Sequence, residues 1–316
     1  MTSDELARRR FLGAAGSAGL LALGAPALAW GAAARSFSAG TYALVLDNAF
    51  AGFLIGFSGG NVVADVVKAP AGPDRVHHKR LGPPHIEPVA IACGVPMAKV
   101  LHDWIKSSIE PGSRPVAKNG AIVEYDRTMK ELGRRVFSGA LITEVEFPAC
   151  DASVKDAAAV TVTFAPQTMV LSAPGGPPLS GSGGVPSKPS AMHALRSNFR
   201  LRIQGLEQAF ARTAAIDAVE VKLTPSIEVA NLGVTVDDSL IGQVYAWHQE
   251  SVVKGGNKPR PGVLEFLTPD LRAGVLTLSF TNLGIIRVAP EAVAAGATAA
   301  LRRSRVDMYC EAVALA

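Results

Sequence analysis

One ordered set of signals occurs twice along this chain of 316 residues, and that repetition constrains the fold more than any other feature. Leu44-Val45-Leu46-Asp47 is matched by Leu201-Arg202-Ile203-Gln204, and each is followed at the same distance by a phenylalanine, Phe53 and Phe210. Pro84-His85-Ile86-Glu87 is matched by Pro225-Ser226-Ile227-Glu228, and a helical pattern with a tryptophan follows each, at Trp104 and Trp247. Ile122-Val123-Glu124-Tyr125 is then matched by Val263-Leu264-Glu265-Phe266, Phe137-Ser138 by Phe280-Thr281, and Pro148 by Pro290. Order is kept throughout. The main difference is an excess of about 16 residues in the first copy, between Phe53 and Pro84. Seven matches in order read as an internal duplication.

The boundary between the copies is legible. Residues 173–190 read APGGPPLSGSGGVPSKPS, with almost nothing to bury, which is linker composition. The expected organisation is an export signal over 1–29, a first domain over 39–173, a linker over 174–195 and a second domain over 196–316. Each domain is of ordinary size. With 48% hydrophobic and 18% charged residues, a packed core is affordable only in a folded chain, and wholesale disorder is excluded.

Val160-Thr161-Val162-Thr163-Phe164 alternates strictly, as do Val219 to Leu223, Leu276 to Phe280 and Val306 to Ala312. Period two with β-branched residues predicts half-buried strands. Pro96 suits a first helical turn, and Met97, Val100, Leu101, Trp104, Ile105 and Ile109 then share one helix face until Gly112. In the second copy Asp237 or Asp238 caps a helix with the stripe Leu240, Ile241, Val244, Tyr245, Trp247, His248 and Val252, ending at Gly255-Gly256. The fold class predicted is mainly β: two tandem antiparallel β-sandwich or barrel domains, each with one packed α-helix.

The first thirty residues read as an address. Arg8, Arg9 and Arg10 precede Phe11-Leu12, a short apolar run and Ala27-Leu28-Ala29, a small-residue cleavage pattern. The paired arginines followed by Phe-Leu resemble the twin-arginine type, which exports folded proteins. Cleavage after Ala29 leaves a chain of net charge about +3. No stretch of the mature chain is expected to span a membrane, and the expected location is the periplasm or the exterior. Cys93, Cys150 and Cys310 lie far apart with no CxxC or metal-binding cadence, and three thiols cannot all pair within one chain.

The order of these signals resembles the tail-tube proteins of contractile phages and the related tube proteins of type VI secretion. The resemblance rests on Leu44 to Asp47 followed by Phe53-Leu54-Ile55-Gly56-Phe57-Ser58-Gly59. It continues through the basic stretch His78-Lys79-Arg80-Leu81-Gly82-Pro83, the helix core Leu101-His102-Asp103-Trp104-Ile105, and Val145-Glu146-Phe147-Pro148-Ala149-Cys150-Asp151-Ala152. The second copy lacks the basic stretch and has Ala289-Pro290 where the family has Phe-Pro. The resemblance implies a structural protein that self-assembles into rings or a tube and is not an enzyme. It also implies that Asn61 to Pro83 is an inter-ring loop, with Lys68, Arg75, His77, His78, Lys79 and Arg80 as docking groups. Related tubes are hexameric rings of single domains. Two fused domains imply a homotrimer with a pseudo-sixfold ring, alone or stacked.

Gly56-Phe57-Ser58-Gly59-Gly60 fits the G-x-S-x-G nucleophile elbow, with His77, His78 or His85 as base and Asp65 or Asp74 as orienter. About 25 mature residues precede Ser58, too few for the parallel strands an elbow needs, so a serine hydrolase is the lesser alternative. A periplasmic binding or effector-carrying ring is the other. His77, His78 and His85 stand beside Lys79 and Arg80, which repel a divalent ion, so no metal is expected. No P-loop, Rossmann, HExxH or CxxCH motif occurs, and no cofactor is expected. Net charge is only +4, without a block of one sign, so no nucleic-acid partner is required.

Overall fold

Asp47 and Asn48 take φ of 47° and 67°, the left-handed pair that a two-residue type I′ hairpin turn needs. They join β1 (Thr41–Leu46) to β2 (Ala49–Leu54). Asp47 also accepts from Lys118 Nζ at 2.6 Å and from the Asn119 N–H at 3.2 Å, tying the turn to a strand far along the chain. The computed structural model describes residues 41–174, 194–291 and 302–316. The expected export residues Arg8, Arg9, Phe11 and Leu12, and nearly all of the expected linker, lie outside the described residues.

The first half continues with β3 (Gly56–Gly59), β4 (Val62–Lys68), β5 (Lys79–Ile86), β6 (Val89–Gly94) and α1 (Lys99–Ile109). Then come β7 (Lys118–Tyr125), β8 (Glu131–Phe147), β9 (Cys150–Asp151), β10 (Ala159–Ala165) and β11 (Thr168–Ser172). The second half comprises β12 (Phe199–Ile203), α2 (Glu207–Phe210), β13 (Thr213–Ile216), β14 (Val219–Lys222), β15 (Glu228–Val229) and β16 (Leu232–Asp237). It ends with α3 (Ile241–His248), β17 (Arg260–Leu267), β18 (Gly274–Pro290), β19 (Arg303–Tyr309) and β20 (Ala312–Leu315).

The fold is mainly β, and every strand pairing is antiparallel. One sheet runs β2-β1-β7-β8-β10-β6-β3, and the other runs β12-β17-β18-β19-β16-β13-β9. From β1 and from β12 onward the two orders correspond strand for strand. β8 and β18 are each 17 residues long. Each passes from one ladder to another at a residue of positive φ, Gly139 at 59° and Asn282 at 54°. Each also carries an irregularity in its next pairing, at Thr143 in β8 and at Ile286 in β18. Such bulges and bends let one strand serve two ladders.

Both tryptophans are buried and hydrogen-bonded alike. Trp104 Nε1 donates to Val116 O at 2.9 Å, and Trp247 Nε1 donates to Lys258 O at 2.8 Å. Leu101, Trp104 and Ile105 of α1 are fully buried, as are Val244 and Trp247 of α3. Trp104 meets Phe164 at a ring-centroid distance of 5.7 Å, and Phe164 meets Phe137 at 5.0 Å. Burying such a side chain stabilises by roughly 1.5–3 kcal/mol.

Among the described residues the halves are joined at several places, including a bridge between Ala157 and Leu195. β14 pairs with β8, from Val219 opposite Phe147 to Lys222 opposite Glu144. β9 pairs with β13. Helix α1 lies against β20. One continuous core therefore contains Leu44, Phe147, Val221 and Val313 together, and the described residues belong to one compact unit, Ala39–Ala316.

The structure departs from the sequence reading at four points. Asn61 to Pro83, expected as a loop, contains β4 and most of β5, because Val62-Val63 and Val66-Val67 have β-branched side chains suited to a pleated strand. The alternation from Val306 to Ala312 is not one strand: β19 stops at Tyr309 and β20 starts at Ala312. The α2 turn was not anticipated; Glu207 accepts from the Gly205 N–H at 2.9 Å at its start. The α3 stripe is only partly covered, since Leu240, Tyr245 and Val252 are exposed.

Candidate assembly surfaces

The hairpin β4–β5 forms a sheet of its own, with no further strand beside it among the described residues. Its ladder runs from Val62 opposite Ile86 to Lys68 opposite Lys79. An isolated two-stranded hairpin is marginal in water. This one also leaves Val62, Val66, Val67 and Leu81 in solvent. Lys68, Arg75, His77, His78, Lys79 and Arg80 all lie at its outer end and are exposed. His78 Nε2 meets Asp74 Oδ2 at 2.9 Å and His77 Nδ1 meets Ala69 O at 3.0 Å, so these rings hold the tip loop rather than converge on a ligand. No cluster of three metal-ligating side chains occurs among the described residues.

Two further surfaces are open. Beyond Leu283, β18 pairs only with β19, so its second edge from Ile286 to Pro290 is free among the described residues. Ile286 is exposed there. On β11, Val170 and Leu171 are exposed. The sequence reading placed its docking residues on the basic tip and missed these edges. The missed signal was the run of β-branched residues from Val62 to Val67, in which no acidic or basic side chain except Asp65 blocks pairing.

The β14–β8 joint shows how such an edge is filled. Glu220 faces Glu146 across it, and Lys222 faces Glu144. Burial first, and then Glu220, push the Glu144 carboxyl up; the Lys222 ammonium hydrogen-bonded to Glu220 holds that carboxyl down. Lys222 Nζ lies 3.0 Å from Glu220 Oε1. Glu144 and Glu220 thus share one lysine at a pairing edge, an arrangement whose charges help select the partner strand.

Ser58 lies on β3 opposite Ala90, and the next element is strand β4 rather than a helix. The strand-turn-helix geometry of a nucleophile elbow is therefore not formed. Cys93, Cys150 and Cys310 are free and buried. Burial pushes their thiols up to about 12, 12 and 11, far from a reactive range. The hollow lined by Phe199, Leu201, Phe210 and Leu267 has a volume of about 240 Å³ and no histidine, cysteine or carboxylate in its wall. No described helix is long and apolar enough to cross a membrane.

No family model matches the sequence, and no curated protein matches it. Among solved structures, the chain is similar to part of an extracellular contractile injection system, the PVC sheath-tube complex in the extended state. Identity there is 20% and TM-score 0.37, over 43% of this chain and 91% of that one. It is similar to the PVC sheath/tube terminator in the extended state, at 19% identity and TM-score 0.38, over 45% of this chain and 100% of that one. It is also similar to the cap of the anti-feeding prophage, the AFP tube terminating cap, at 17% identity and TM-score 0.38, over 45% of this chain and 94% of that one.

Proposed function

We propose that this chain is an exported structural protein, built from a duplicated β unit, that assembles with its own copies into rings or a tube. The observation that carries the reading is the unpaired β4–β5 ribbon, whose valines stand in water while β14 in the second half is buried against β8. Open strand edges carrying apolar side chains recruit further strands. The duplication is supported by the shared strand order, the equal lengths of β8 and β18, and the like hydrogen bonds of Trp104 and Trp247. Two fused units per chain halve the number of chains needed for a six-unit ring, so a trimer is the expected closed form. Light scattering and negative-stain micrographs of the mature protein test this. Multiples of three chains with ring-shaped particles are expected. A single chain that persists at high micromolar concentration, with no rings, overturns the reading.

A further inference from the structure

The way the halves meet inside one chain specifies how one chain meets the next; this rests on the duplication and ring reading above. Counting from Phe53 and Phe210, Val62, Ala64 and Asp65 of β4 hold the places of Val219, Val221 and Lys222 of β14. Counting from Phe137 and Phe280, Arg287, Val288 and Pro290 of β18 hold the places of Glu144, Val145 and Phe147 of β8. Within the chain, β14 fills the edge of β8. Both counterparts, β4 and the far end of β18, have that edge open among the described residues. Val219 is 3% exposed in its joint, whereas Val62 is 65% exposed.

A second contact repeats the relation. β20 pairs with β18 in the register that β11 makes with β8: Val313 opposite Phe280 as Met169 opposite Phe137, and Leu315 opposite Leu278 as Leu171 opposite Arg135. Helix α1 lies against β20, and Leu315 is 2% exposed. On β11, Met169 packs against the core, but Leu171 is 77% exposed. On the helices, Ile109 of α1 is fully buried, while Val252, at the same distance beyond its tryptophan, is 45% exposed. Each half therefore has two faces, one carrying β3, β4 and β11 or their counterparts, the other carrying the end of the long strand and the helix. The second half uses its first face and the first half its second face in the internal joint. The remaining face of each half is the one left uncovered.

We infer that β4 of one chain pairs antiparallel with the open edge of β18 in a second copy of this chain, Ala64 opposite Val288 and Asp65 opposite Arg287, while α3 of that second copy covers β11 of the first. The charges fit this register. The internal joint sets Lys222 against Glu144, and the new one sets Asp65 against Arg287, the same pairing with its signs exchanged. Glu220 against Glu146 is replaced by Val63 against Ala289, which removes a like-charge contact. The backbone fits as well. The Glu291 N–H donates to Arg303 O at 2.9 Å, so alternation turns Arg287 and Ala289 toward β19 and leaves Ile286 and Val288 to bond outward. Pro290 has no N–H, so the new ladder ends at its carbonyl. The contact is head-to-tail, which closes into a ring when the rotation per chain divides a full turn.

The test is a cysteine cross-link in the whole protein. Val63 and Ala289 form a non-hydrogen-bonded pair in the inferred register, with Cα atoms about 4.5 Å apart, inside the range a disulfide spans. The protein with Val63→Cys and Ala289→Cys together should give a ladder of chain multiples on non-reducing gels after copper-phenanthroline oxidation. Each single substitution should give none, because the three native thiols are buried. Val62→Asp and Leu171→Asp, both at positions exposed in the single chain, should leave the far-ultraviolet circular dichroism unchanged and convert assemblies to single chains. Assemblies that form without the ladder, a disulfide confined within one chain, or assemblies indifferent to Val62→Asp overturn the register while leaving the ring reading standing. Single chains only, for the unaltered protein, overturn both.

Discussion

Asp307 lies between two guanidinium groups. Arg287 Nε donates to its Oδ2 at 2.8 Å and Arg305 Nε to its Oδ1 at 2.9 Å, and Arg305 also bonds Asp217. Gly233 makes the room: a Cβ there would stand 2.0 Å from Arg305 Nη2 and 2.3 Å from Asp217 Oδ2. Burial raises the Asp307 carboxyl, but the hydrogen bonds from Arg287 and Arg305 outweigh it, and the group ends below the usual carboxylate range. A carboxyl depressed in the folded state contributes stability that is present above its unfolded value of about 3.9 and is lost as pH falls through its folded value. Asp307→Asn should therefore lower the melting temperature at pH 7, and its gap to the unaltered protein should narrow as pH falls below about 4. Thermal melts across that range check it, and a gap that is constant with pH refutes the assignment. Little of this cluster was legible beforehand. Alternation put Asp307 on the polar face of a strand, but Arg287 comes from the neighbouring strand β18 and Asp217 from the connection between β13 and β14.

Helix α1 shows what a sequence can and cannot say about an element. Leu101, Trp104, Ile105 and Ile109 recur at helical spacing, and all four are buried, because the surface they need lies under the helix in the same chain. In α3 the spacing is as regular, yet only Val244 and Trp247 are buried in the helix. Spacing reports which residues share a face and is silent about whether the chain itself covers that face. The same holds for β4: its valines do not read as a strand because residues 69–78 supply the glycine, prolines and charges of a loop, and the strand's only partner among the described residues is β5. Trp104→Ala should cost about 3–5 kcal/mol, as large aromatic truncations in cores do. Trp247→Ala, on the helix with the smaller buried face, should cost less in single chains. Urea melts of both variants decide this, and a loss under about 1 kcal/mol at Trp104 would mean that α1 is peripheral to the core.

For the whole molecule, the sequence made the antiparallel β class and the places of α1 and α3 legible through period-two runs and two tryptophan-bearing stripes. The joints between the halves were not legible, because β14 on β8 and β9 on β13 depend on strands brought together only in the folded unit. The proposed export route has its own expected outcome. Changing Arg8 and Arg9 to Lys should leave the precursor in the cytoplasm, as read by fractionation, and normal export of that variant would overturn the twin-arginine assignment. The free, buried thiols suit folding before export, since no disulfide has to form.

The β14–β8 joint has a consequence for counting. Because that joint is made inside every chain, an assembly that repeats it holds its β units in twos, and a ring of five or seven units is excluded by the covalent chain alone. Dilution then acts on alternate joints only. The joints between chains weaken as the protein is diluted, while those within a chain keep the effective concentration that covalent connection gives, commonly in the millimolar range for short flexible links. A disassembling ring would therefore shed whole pairs of units with one joint still closed, and regrowth would begin from a template already half made.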